Sequence, residues 1–596
     1  MLLIYKIWAM KELVVLNKIN GVKDLKTLNI DELNLLSSEI REVLLKRMSE
    51  VGGHLGPNLG VIELTIALHY VFNAPIDKII FDVSHQCYTH KILTGRKEAF
   101  IDKEKYSTVT GFFNPKESEY DLFKLGHTSS SISLALGISK ARDLNLENYR
   151  VIDVIGDGSL SGGEALEALN NIYELKSNFI LVVNDNDMSI AENHGGLYQS
   201  LKDLRDSKGE SSNNIFKSFG LNYLYIENGN DIKTLIDAFN RIKDNDSPIV
   251  VHIKTKKGNG YEPAMNNEEG FHYRAPFNLE DGSLKNINND ENYSEITYGF
   301  LSKKMDEDKS VIAITSAVPY ISGFNKERRE KYKNQFVDVG ISESHAVGFL
   351  SGLAKGNAKA FYPVTASFLQ RSFDQLIEDL SLNNVNPTLI IFGSGIFGAK
   401  DATHLGIFDE SLLTNIPNLI YLDPTTYEEY VAMLEYGYSH KNHPLAIRMP
   451  IKVIHENKTD LTDYSIINKS KIEKLGSKVC ILALGNLNYL GKEVVEELKK
   501  HNIDATLIRP TFLNDVDKDL LNKLCDNHDL FITLEDSIVS GGYGEKVSSF
   551  LGNKDVRVLN YGPKKEFLDK FDIDNLLIEL RLKKELIVKD ILKFYI

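Results

Sequence analysis

Two short apolar runs with a helical pattern between them form the clearest secondary-structure signal of the chain. The first run covers Val151 to Ile155 and ends at residues 156–158, Gly-Asp-Gly; the second covers Phe179 to Val183 and leads into residues 184–188, Asn-Asp-Asn-Asp-Met. Between them, apolar residues from Ala165 to Leu175 repeat at helical spacing. Apolar runs of this length are typical of buried parallel strands. The stretch therefore predicts a strand, a helix and a second strand.

The two strands of such a unit point the same way, so the residues that follow them meet at one edge of the sheet. Asp157 and Asn186 offer a carboxylate and an amide oxygen there, which are hard ligands suited to Mg²⁺ and its phosphate partners. Gly156 and Gly158 allow a close backbone approach to a diphosphate, and the helix start near Ser161 offers free N–H groups. A lone Gly-Asp-Gly more often ends an ordinary core strand, but the asparagine after one helix favours a magnesium site.

Strand and helix patterns of the same kind continue along the chain and predict three doubly wound α/β domains. Two polar stretches without periodicity predict linkers. We place a diphosphate- and magnesium-binding domain at residues 1–277, a linker at 278–295, a second domain at 296–456, a linker at 457–470 and a third domain at 471–596. In the first domain, the polar stretch Ala191 to Asn214 shows little periodicity and predicts a mobile cover over the site.

Composition narrows the class of protein. The 596 residues exceed what one core supports, and the net charge of −14 argues against nucleic acid or an anionic membrane surface as the main partner. No apolar run approaches the roughly 18 to 20 residues that span a bilayer. Cys87, Cys480 and Cys525 lack metal-ligand spacing and suit a reducing cytoplasm. The opening residues lack a basic start and a small-residue cleavage site, so we expect no signal peptide, and Met10 is an alternative start to Met1.

Several loops carry residues suited to proton transfer or phosphate binding. His54 and His85 each lie where a loop meets a regular element; one such histidine is more often structural, but two favour a shared pocket. Residues 126–128, Gly-His-Thr, precede a helix of small residues, which suits either a backbone-bound phosphate or an ordinary helix start. Tyr261, after the predicted strand Ile249 to Lys254, either stacks on a ring or packs in the core.

Residues 393–398, Gly-Ser-Gly-Ile-Phe-Gly, follow the predicted strand Thr388 to Phe392 and fit a dinucleotide-binding fingerprint. We reject that interpretation for two reasons. Residues Ala399 to Thr403 do not open an obvious apolar helix, and no acidic residue ends a following strand about 20 residues on, as the fingerprint requires.

Most of these motifs lie in stretches that resemble the 1-deoxy-D-xylulose-5-phosphate synthase family along nearly the whole chain. The Gly-Asp-Gly turn, helix and asparagine are similar to the thiamine-diphosphate signature of transketolase-like enzymes. The resemblance implies three domains of transketolase-like type, thiamine diphosphate and Mg²⁺ as cofactors, and a homodimer. The runs that carry it are GGHLGPNLGVIELTIALHYVF (52–72), HKILTGR (90–96), ESEYDLFKLGHTSSSIS (117–133), the unit from Gly-Asp-Gly to NDNDMSI (156–190), KKGNGYEP (256–263), SESHAV (342–347), SFLQRSFDQ (367–375), THLGIFD (403–409) and TLEDS (533–537).

The resemblance also implies roles for individual residues. For Mg²⁺ it implies Asp157, Asn186 and the backbone carbonyl of Met188. It implies catalysis by Glu343, His54, His272 and His404, coenzyme contacts for His85, Gly126, His127, Thr128, Gly158, Ser159, Asn186, Tyr261, Glu343 and Phe368, and substrate contacts for Arg371 and Lys400.

Glu343 has two interpretations. The strand Phe336 to Gly340 leads into residues 341–345, and a helix is expected to begin at Ala346. A glutamate at this point caps a helix start if it has no other role. Thiamine, however, needs a carboxylate on a pyrimidine ring nitrogen so that the thiazolium proton can be removed, and Glu343 is our candidate.

The family joins pyruvate to D-glyceraldehyde 3-phosphate with loss of CO₂, which implies a transferase that supplies isoprenoid and thiamine precursors. This chain departs from the family at the acceptor, because Gly393 and Ile451 replace two phosphate-binding arginines, and Thr365 and Lys400 replace a tyrosine and an aspartate. Three interpretations stay open: a synthase with a rearranged acceptor pocket, a thiamine carboligase that uses another, unphosphorylated aldehyde, or a weakly catalytic binding or regulatory paralogue. The last is disfavoured because the predicted metal ligands and proton carriers are retained together.

Overall fold

The computed structural model describes residues 13–287 and 289–595. The choice between Met1 and Met10 as the start lies outside the described residues. The described chain forms two compact units. The first holds the residues up to Asn289 together with residues 340–342, and the second holds the rest.

The first unit is built on five parallel strands. They are β1 (Lys78–Phe81), β2 (Val151–Gly156), β3 (Phe179–Asp185), β4 (Asn222–Ile226) and β5 (Pro248–Lys254), in the order β1-β2-β3-β5-β4. β2 and β3 are parallel neighbours, with Gly156 paired to Asn184. The loops that follow these two strands therefore leave the sheet side by side, as the sequence predicted.

Alternate residues of a strand point to opposite sides of the sheet. Both sets are largely apolar in this sheet, so helices cover both of its faces. Ile152 and Val154 of β2 pack in one core cluster, while Val151 and Ile155 pack in the other. The helices of the unit are α1 (Val22–Leu25), α2 (Ile30–Val51), α3 (Leu55–Gly60), α4 (Ile62–Val71), α5 (Tyr88–Lys91), α6 (Glu98–Ile101), α7 (Ser131–Leu144), α8 (Gly163–Ile172), α9 (Gly196–Asp206), α10 (Ile215–Ser218), α11 (Ile232–Ile242) and α12 (Glu262–Asn266).

The second unit contains two further sheets. The six parallel strands of one are β6 (Val311–Thr315), β7 (Phe336–Asp338), β8 (Lys359–Thr365), β9 (Thr388–Phe392), β10 (Ile420–Leu422) and β11 (Leu445–Arg448), in the order β10-β11-β9-β8-β6-β7. The other sheet holds β12 (Ser470–Lys474), β13 (Lys478–Ala483), β14 (Thr506–Pro510), β15 (His528–Leu534) and β16 (Arg557–Tyr561), in the order β12-β14-β13-β15-β16. Only β12 of these strands runs antiparallel to its neighbour.

Helices alternate with these strands, so all three sheets have the predicted α/β architecture. The helices of the second unit are α13 (Tyr293–Glu307), α14 (Lys326–Lys331), α15 (Glu343–Lys355), α16 (Ala366–Leu369), α17 (Phe373–Gln375), α18 (Asp409–Leu413), α19 (Tyr427–Ser439), α20 (Asn488–Lys499), α21 (Lys518–Leu524), α22 (Tyr543–Leu551), α23 (Ile573–Glu579) and α24 (Lys584–Phe594). Across residues 13–287 and 289–595, no helix combines the length and apolar character needed to cross a membrane.

Two sequence predictions are wrong in detail. The stretch Ala191 to Asn214 is not irregular, because α9 lies within it and buries Tyr198, Leu201 and Leu204. Those apolar residues recur every three positions, which is helical spacing, but the polar residues between them mask the pattern.

The second correction concerns the start of α15. This helix begins at Glu343 and not at Ala346, so the glutamate lies in the first turn. A carboxylate in that position interacts favourably with the helix dipole, which explains why the polar residues before Ala346 belong to the helix.

Candidate functional site

The turn after β2 carries the first candidate metal ligand. One tight helical turn, Asp157–Ser161, follows the strand. The Asp157 side chain is buried, and its Oδ2 accepts a hydrogen bond of 2.9 Å from Nδ2 of Asn193. Burial, and then the neighbouring Asp185 carboxylate, raise the pKa of Asp157 well above its ordinary value. A bound cation would stabilise the ionised carboxylate at this position.

The loop after β3 presents an amide oxygen that lacks a donor. Within the described part of the chain, Oδ1 of Asn186 is buried and has no hydrogen-bond partner. The next residue, Asp187, has a left-handed backbone with φ of 65°, and Met188 follows it and forms an isolated bridge with Glu192. A buried carboxylate and an orphaned amide oxygen are the hard donors that Mg²⁺ prefers. The residues present therefore fit a magnesium ion.

The two loops touch each other at Gly158 and Ser189. A Cβ atom on Gly158 would lie 2.9 Å from Cβ of Ser189, so glycine is required at this approach. Nζ of Lys257 donates to the Ser189 carbonyl at 2.7 Å. Burial lowers the pKa of Lys257 to about 8, although the negative charge of Asp157 acts to raise it. Sequence reasoning missed Lys257, although its position in the KKGNGYEP run was the available signal.

A third loop, residues 126–131, is held against the first. Asp82 accepts hydrogen bonds from the backbone N–H groups of Ser129 (2.9 Å) and Ser131 (3.2 Å). Oγ of Ser129 donates to the Ser159 carbonyl at 2.8 Å. These contacts bring the predicted phosphate-binding residues Gly126 to Thr128 onto the same side of the sheet as the turn that carries Gly158 and Ser159.

Three histidines that are far apart in the sequence come together in the first unit. The ring centroids of His54 and His85 are 5.2 Å apart, those of His54 and His272 are 5.7 Å apart, and His85 and His272 stack at 5.2 Å. Phe112 and Tyr273 also contact the His54 ring. Burial, followed by the charge of Lys257, lowers the pKa of His272 well below its ordinary value. His272 is therefore a neutral imidazole and a weaker base than an exposed histidine.

Tyr261 lies in the core of the first unit. Its hydroxyl donates to the Leu279 carbonyl at 3.0 Å, and its ring lies 5.9 Å from Phe271 and 6.0 Å from Phe277 between centroids. These contacts agree with the packing interpretation, and the coenzyme contact of Tyr261 stays a prediction.

Glu343 is buried at the start of α15 in the second unit. Its Oε2 accepts from Nη1 of Arg371 at 3.3 Å. Burial raises the pKa of Glu343, and the guanidinium of Arg371 only partly opposes this. The carboxyl group therefore retains a proton to higher pH than an exposed glutamate. Arg371, predicted to contact substrate, contacts this carboxyl group.

His404 has two partners close in sequence. Its Nδ1 lies 2.9 Å from Oγ1 of Thr403 and 3.2 Å from Oδ1 of Asp401, and its ring packs edge-on against Phe368 at 5.5 Å. Burial alone would raise the pKa of Asp401. The hydrogen bonds from His404 and Thr403 have the larger effect and lower this pKa to about 2. Asp401 was not predicted as a site residue. The side chain of Lys400 beside it is exposed.

Profiles of three families cover most of the chain. Residues 16–212 and 206–255 match 1-deoxy-D-xylulose-5-phosphate synthase, residues 292–454 match the pyrimidine-binding domain of transketolase, and residues 468–587 match the transketolase C-terminal domain. The 1-deoxy-D-xylulose-5-phosphate synthase of Clostridium tetani is 37% identical, over 97% of this chain and 99% of the relative. That of Caldanaerobacter subterraneus is 36% identical, over 98% of this chain and 99% of the relative.

The chain belongs to the 1-deoxy-D-xylulose-5-phosphate synthase family. Its predicted family and its α/β fold are thereby confirmed. The synthase family comprises transferases of transketolase type that use thiamine diphosphate with Mg²⁺. The synthase profile spans all five strands of the first sheet, and the two transketolase profiles span the second and third sheets.

Gly393 and Ile451, the two positions where the resemblance implies phosphate-binding arginines, carry no charged side chain. Gly393 has no side chain and a left-handed φ of 64°. The Ile451 side chain is 44% exposed, and its backbone N–H donates to Oδ1 of Asn486 at 3.1 Å. Neither residue can form a charged hydrogen bond to a phosphate.

Proposed function

We propose that the chain decarboxylates pyruvate and joins the resulting two-carbon unit to D-glyceraldehyde 3-phosphate, as a thiamine-diphosphate-dependent transferase. The observation that carries this proposal is the identity of 37% to a synthase over 97% of the chain. The product serves isoprenoid and thiamine precursor supply. We also propose a cytoplasmic location, for which the three free cysteines are the support, and a homodimer, as the family resemblance implies.

The first unit supplies the residues that hold Mg²⁺ and the diphosphate. Asp157, Asn186 and the Met188 carbonyl hold the ion, and the orphaned Oδ1 of Asn186 supports this assignment. Lys257 balances the negative charge of the diphosphate, and the loop at residues 126–128 offers backbone N–H groups to it. Bound thiamine diphosphate supplies an electron sink for the loss of CO₂ from pyruvate.

Glu343 binds the pyrimidine end of the coenzyme. Because burial raises the pKa of this carboxyl group, it can hold a proton and share it with a ring nitrogen. Arg371, at 3.3 Å, fixes the orientation of the carboxyl group. Phe368 offers an aromatic face next to His404. These contacts give Glu343 a more specific role than capping α15.

The histidines move protons and bind substrate oxygens. His54, His85 and His272 share one cluster in the first unit, and the lowered pKa of His272 keeps its ring neutral, so this ring binds substrate oxygens as an uncharged hydrogen-bond partner. His404 is oriented by Asp401 in the second unit. A histidine with one ring nitrogen held in this way presents its other ring nitrogen in a fixed direction.

A second function, carboligation to an aldehyde without phosphate, is favoured by Gly393 and Ile451. Loss of a buried charged partner typically costs roughly 2 to 5 kcal/mol. Two such losses would weaken binding of a phosphorylated acceptor by on the order of a thousandfold or more. Lys400 can restore one positive charge, but without the two-pronged geometry of arginine.

One experiment tests both functions. CO₂ release from pyruvate is measured with thiamine diphosphate and Mg²⁺, and D-glyceraldehyde 3-phosphate is compared with D-glyceraldehyde as acceptor. Preference for the phosphorylated aldehyde supports the first function, and preference for D-glyceraldehyde supports the second. Absence of turnover with either aldehyde, together with no binding of the coenzyme, would contradict both.

A further inference from the structure

Helix α9 connects to both loops that carry the candidate metal ligands. We propose that Arg205, acting through Asp185, is a positioning residue that holds the loop Asn184 to Met188 in the conformation that binds Mg²⁺ and the diphosphate of the coenzyme. This inference rests on the proposed function. It gives a role to a helix that lies outside the family motifs quoted from the sequence.

Asp185 is fully buried at the end of β3 and is not available as a metal ligand. Its Oδ1 accepts from Nη1 of Arg205 at 2.7 Å and from the backbone N–H of Asp187 at 3.0 Å. Its Oδ2 accepts from Nη1 of Arg205 at 2.8 Å and lies 2.7 Å from Nε2 of His252. Both oxygens are occupied by protein groups, so this carboxylate holds the loop and does not face an ion.

Arg205 contacts both neighbours of the candidate ligand Asn186. Nη1 contacts Asp185, and Nη2 lies 2.5 Å from Oδ1 of Asp187. Asp187 has the left-handed backbone of the turn, with φ of 65°, a conformation that aspartate adopts more often than most residues with a side chain. The guanidinium thus fixes the residues on either side of Asn186, and with them the direction of its amide oxygen.

The same face of α9 reaches the other loop. The hydroxyl of Tyr198 donates to the Gly158 carbonyl at 3.2 Å, next to the candidate ligand Asp157. Tyr198 and Arg205 are seven residues apart, which is two helical turns, so both side chains leave the helix on one side. One rigid helix therefore sets the spacing between the Gly-Asp-Gly turn and the loop that carries Asn186.

His252 completes the support of Asp185 from β5. Its Nε2 lies 2.7 Å from Oδ2 of Asp185, and its Nδ1 lies 2.8 Å from the hydroxyl of Tyr223 on β4. Asp185 is consequently held from the helix side by Arg205 and from the sheet side by His252. Removal of Arg205 leaves the His252 contact, so we expect the loop to loosen and the fold to persist.

The test uses the full-length protein and the variant Arg205→Gln. Binding of thiamine diphosphate is measured by isothermal titration calorimetry at several Mg²⁺ concentrations, and thermal unfolding is measured without coenzyme. Groups that orient metal ligands typically change metal affinity by about 10- to 100-fold. We expect a weakening of this size for Arg205→Gln, with a higher Mg²⁺ requirement, and partial recovery for Arg205→Lys, which keeps the charge but not the two-pronged contact.

The matched control is Lys202→Gln, which removes an exposed positive charge from the same helix. It should bind the coenzyme as the unchanged protein does. If Arg205→Gln unfolds, Arg205→Lys provides the test, because it keeps the positive charge but loses the two-pronged contact with Asp185 and Asp187; coenzyme affinity equal to that of the unchanged protein would then overturn the positioning role.

The outcomes separate the inference from the proposed function. If the unchanged protein binds thiamine diphosphate with Mg²⁺ and Arg205→Gln binds equally well, the positioning role is wrong and the proposed function stands. Equal losses for Arg205→Gln and Lys202→Gln would also overturn it, because the effect would then be one of general charge. If the unchanged protein does not bind the coenzyme, both proposals fail.

Discussion

The loops at the edge of the first sheet and the acceptor positions of the second unit are built differently. In the loops, buried carboxylates such as Asp82 and Asp185 each accept several hydrogen bonds from backbone and side chains. At the acceptor positions, Gly393 has no side chain, and Ile451 and Lys400 are exposed. A buried polar group left unpaired costs roughly 1 to 3 kcal/mol, whereas an exposed residue changes at little cost to the fold. Substrate choice can therefore change while the loops stay the same.

The largest expected effect comes from Glu343→Ala. A positioned acid or base contributes typically about 10² to 10⁴ in rate, and loss of the carboxyl group removes the partner proposed for the pyrimidine nitrogen. We expect pyruvate decarboxylation to fall by about that factor in a CO₂-release assay. Glu378→Ala, which removes an exposed carboxylate from the same unit, serves as the control. Unchanged CO₂ release from the Glu343 variant would remove its assigned role.

A gain of function at Ile451 would sharpen the comparison between the loops of the first sheet and the acceptor positions. Ile451→Arg places a guanidinium at a half-exposed position where the resemblance to the family implies a phosphate-binding arginine. A charge-assisted hydrogen bond contributes roughly 1.5 to 3 kcal/mol, or about a 10- to 100-fold change. We expect kcat/KM for D-glyceraldehyde 3-phosphate to rise within this range, while kcat/KM for D-glyceraldehyde stays constant.

The matched control for this gain is Ile466→Arg, which adds the same charge at another exposed isoleucine of the second unit. It should leave the ratio of the two kcat/KM values unchanged. If both arginine variants raise the ratio equally, the effect comes from overall charge, and position 451 has no specific part in binding phosphate.

Asp401→Asn should have a smaller effect on rate. The carboxylate lies 3.2 Å from Nδ1 of His404 and fixes the direction of the ring. Loss of this orientation removes part of the benefit of proton transfer, about tenfold in kcat, with KM nearly unchanged. Steady-state kinetics with a saturating aldehyde measure this separation. A change confined to KM would assign Asp401 to substrate binding.

The same variant changes the dependence of stability on pH. The folded pKa of Asp401 is lowered from 3.8 to about 2. The ionised group therefore stabilises the folded state above its unfolded pKa, and this contribution is lost as pH falls from about 4 to about 2. Urea unfolding at several pH values should show a smaller acid loss of stability for Asp401→Asn than for the unchanged protein.

The sequence predicted the fold well where apolar residues are continuous. The strands after which Asp157 and Asn186 lie were predicted within two residues, because buried parallel strands are short uninterrupted apolar runs. Helix α9 was missed, because its three buried apolar residues are separated by polar ones. Amphipathic periodicity over only three turns is a weak signal in a polar stretch.

The site was predicted through motifs, and its supporting residues were not. His54, His85 and His272 were named from the sequence, yet only the fold shows that their rings are in contact. Lys257 and Arg205 were missed, because a lysine or arginine in sequence is most often a solvated charge. Their importance follows from burial and from partners that are 20 or more residues away, which a linear pattern does not contain.

The smallest effect is expected for Tyr261→Phe. The Tyr261 hydroxyl donates to the Leu279 carbonyl, and the ring packs among Phe271 and Phe277. Loss of one such hydrogen bond lowers the free energy of unfolding by about 1 kcal/mol, while the ring contacts remain. We expect this change in urea unfolding, together with unaltered affinity for thiamine diphosphate.

Tyr225→Phe is the matched control, because it removes a hydroxyl that bonds to Glu227 elsewhere in the same unit. If Tyr261→Phe weakened coenzyme binding while Tyr225→Phe did not, the hydroxyl of Tyr261 would belong to the coenzyme site after all. The turn after β5 would then bind the coenzyme together with the loops after β2 and β3. The difference between these loops and the acceptor positions, which have few side-chain contacts, would then be larger.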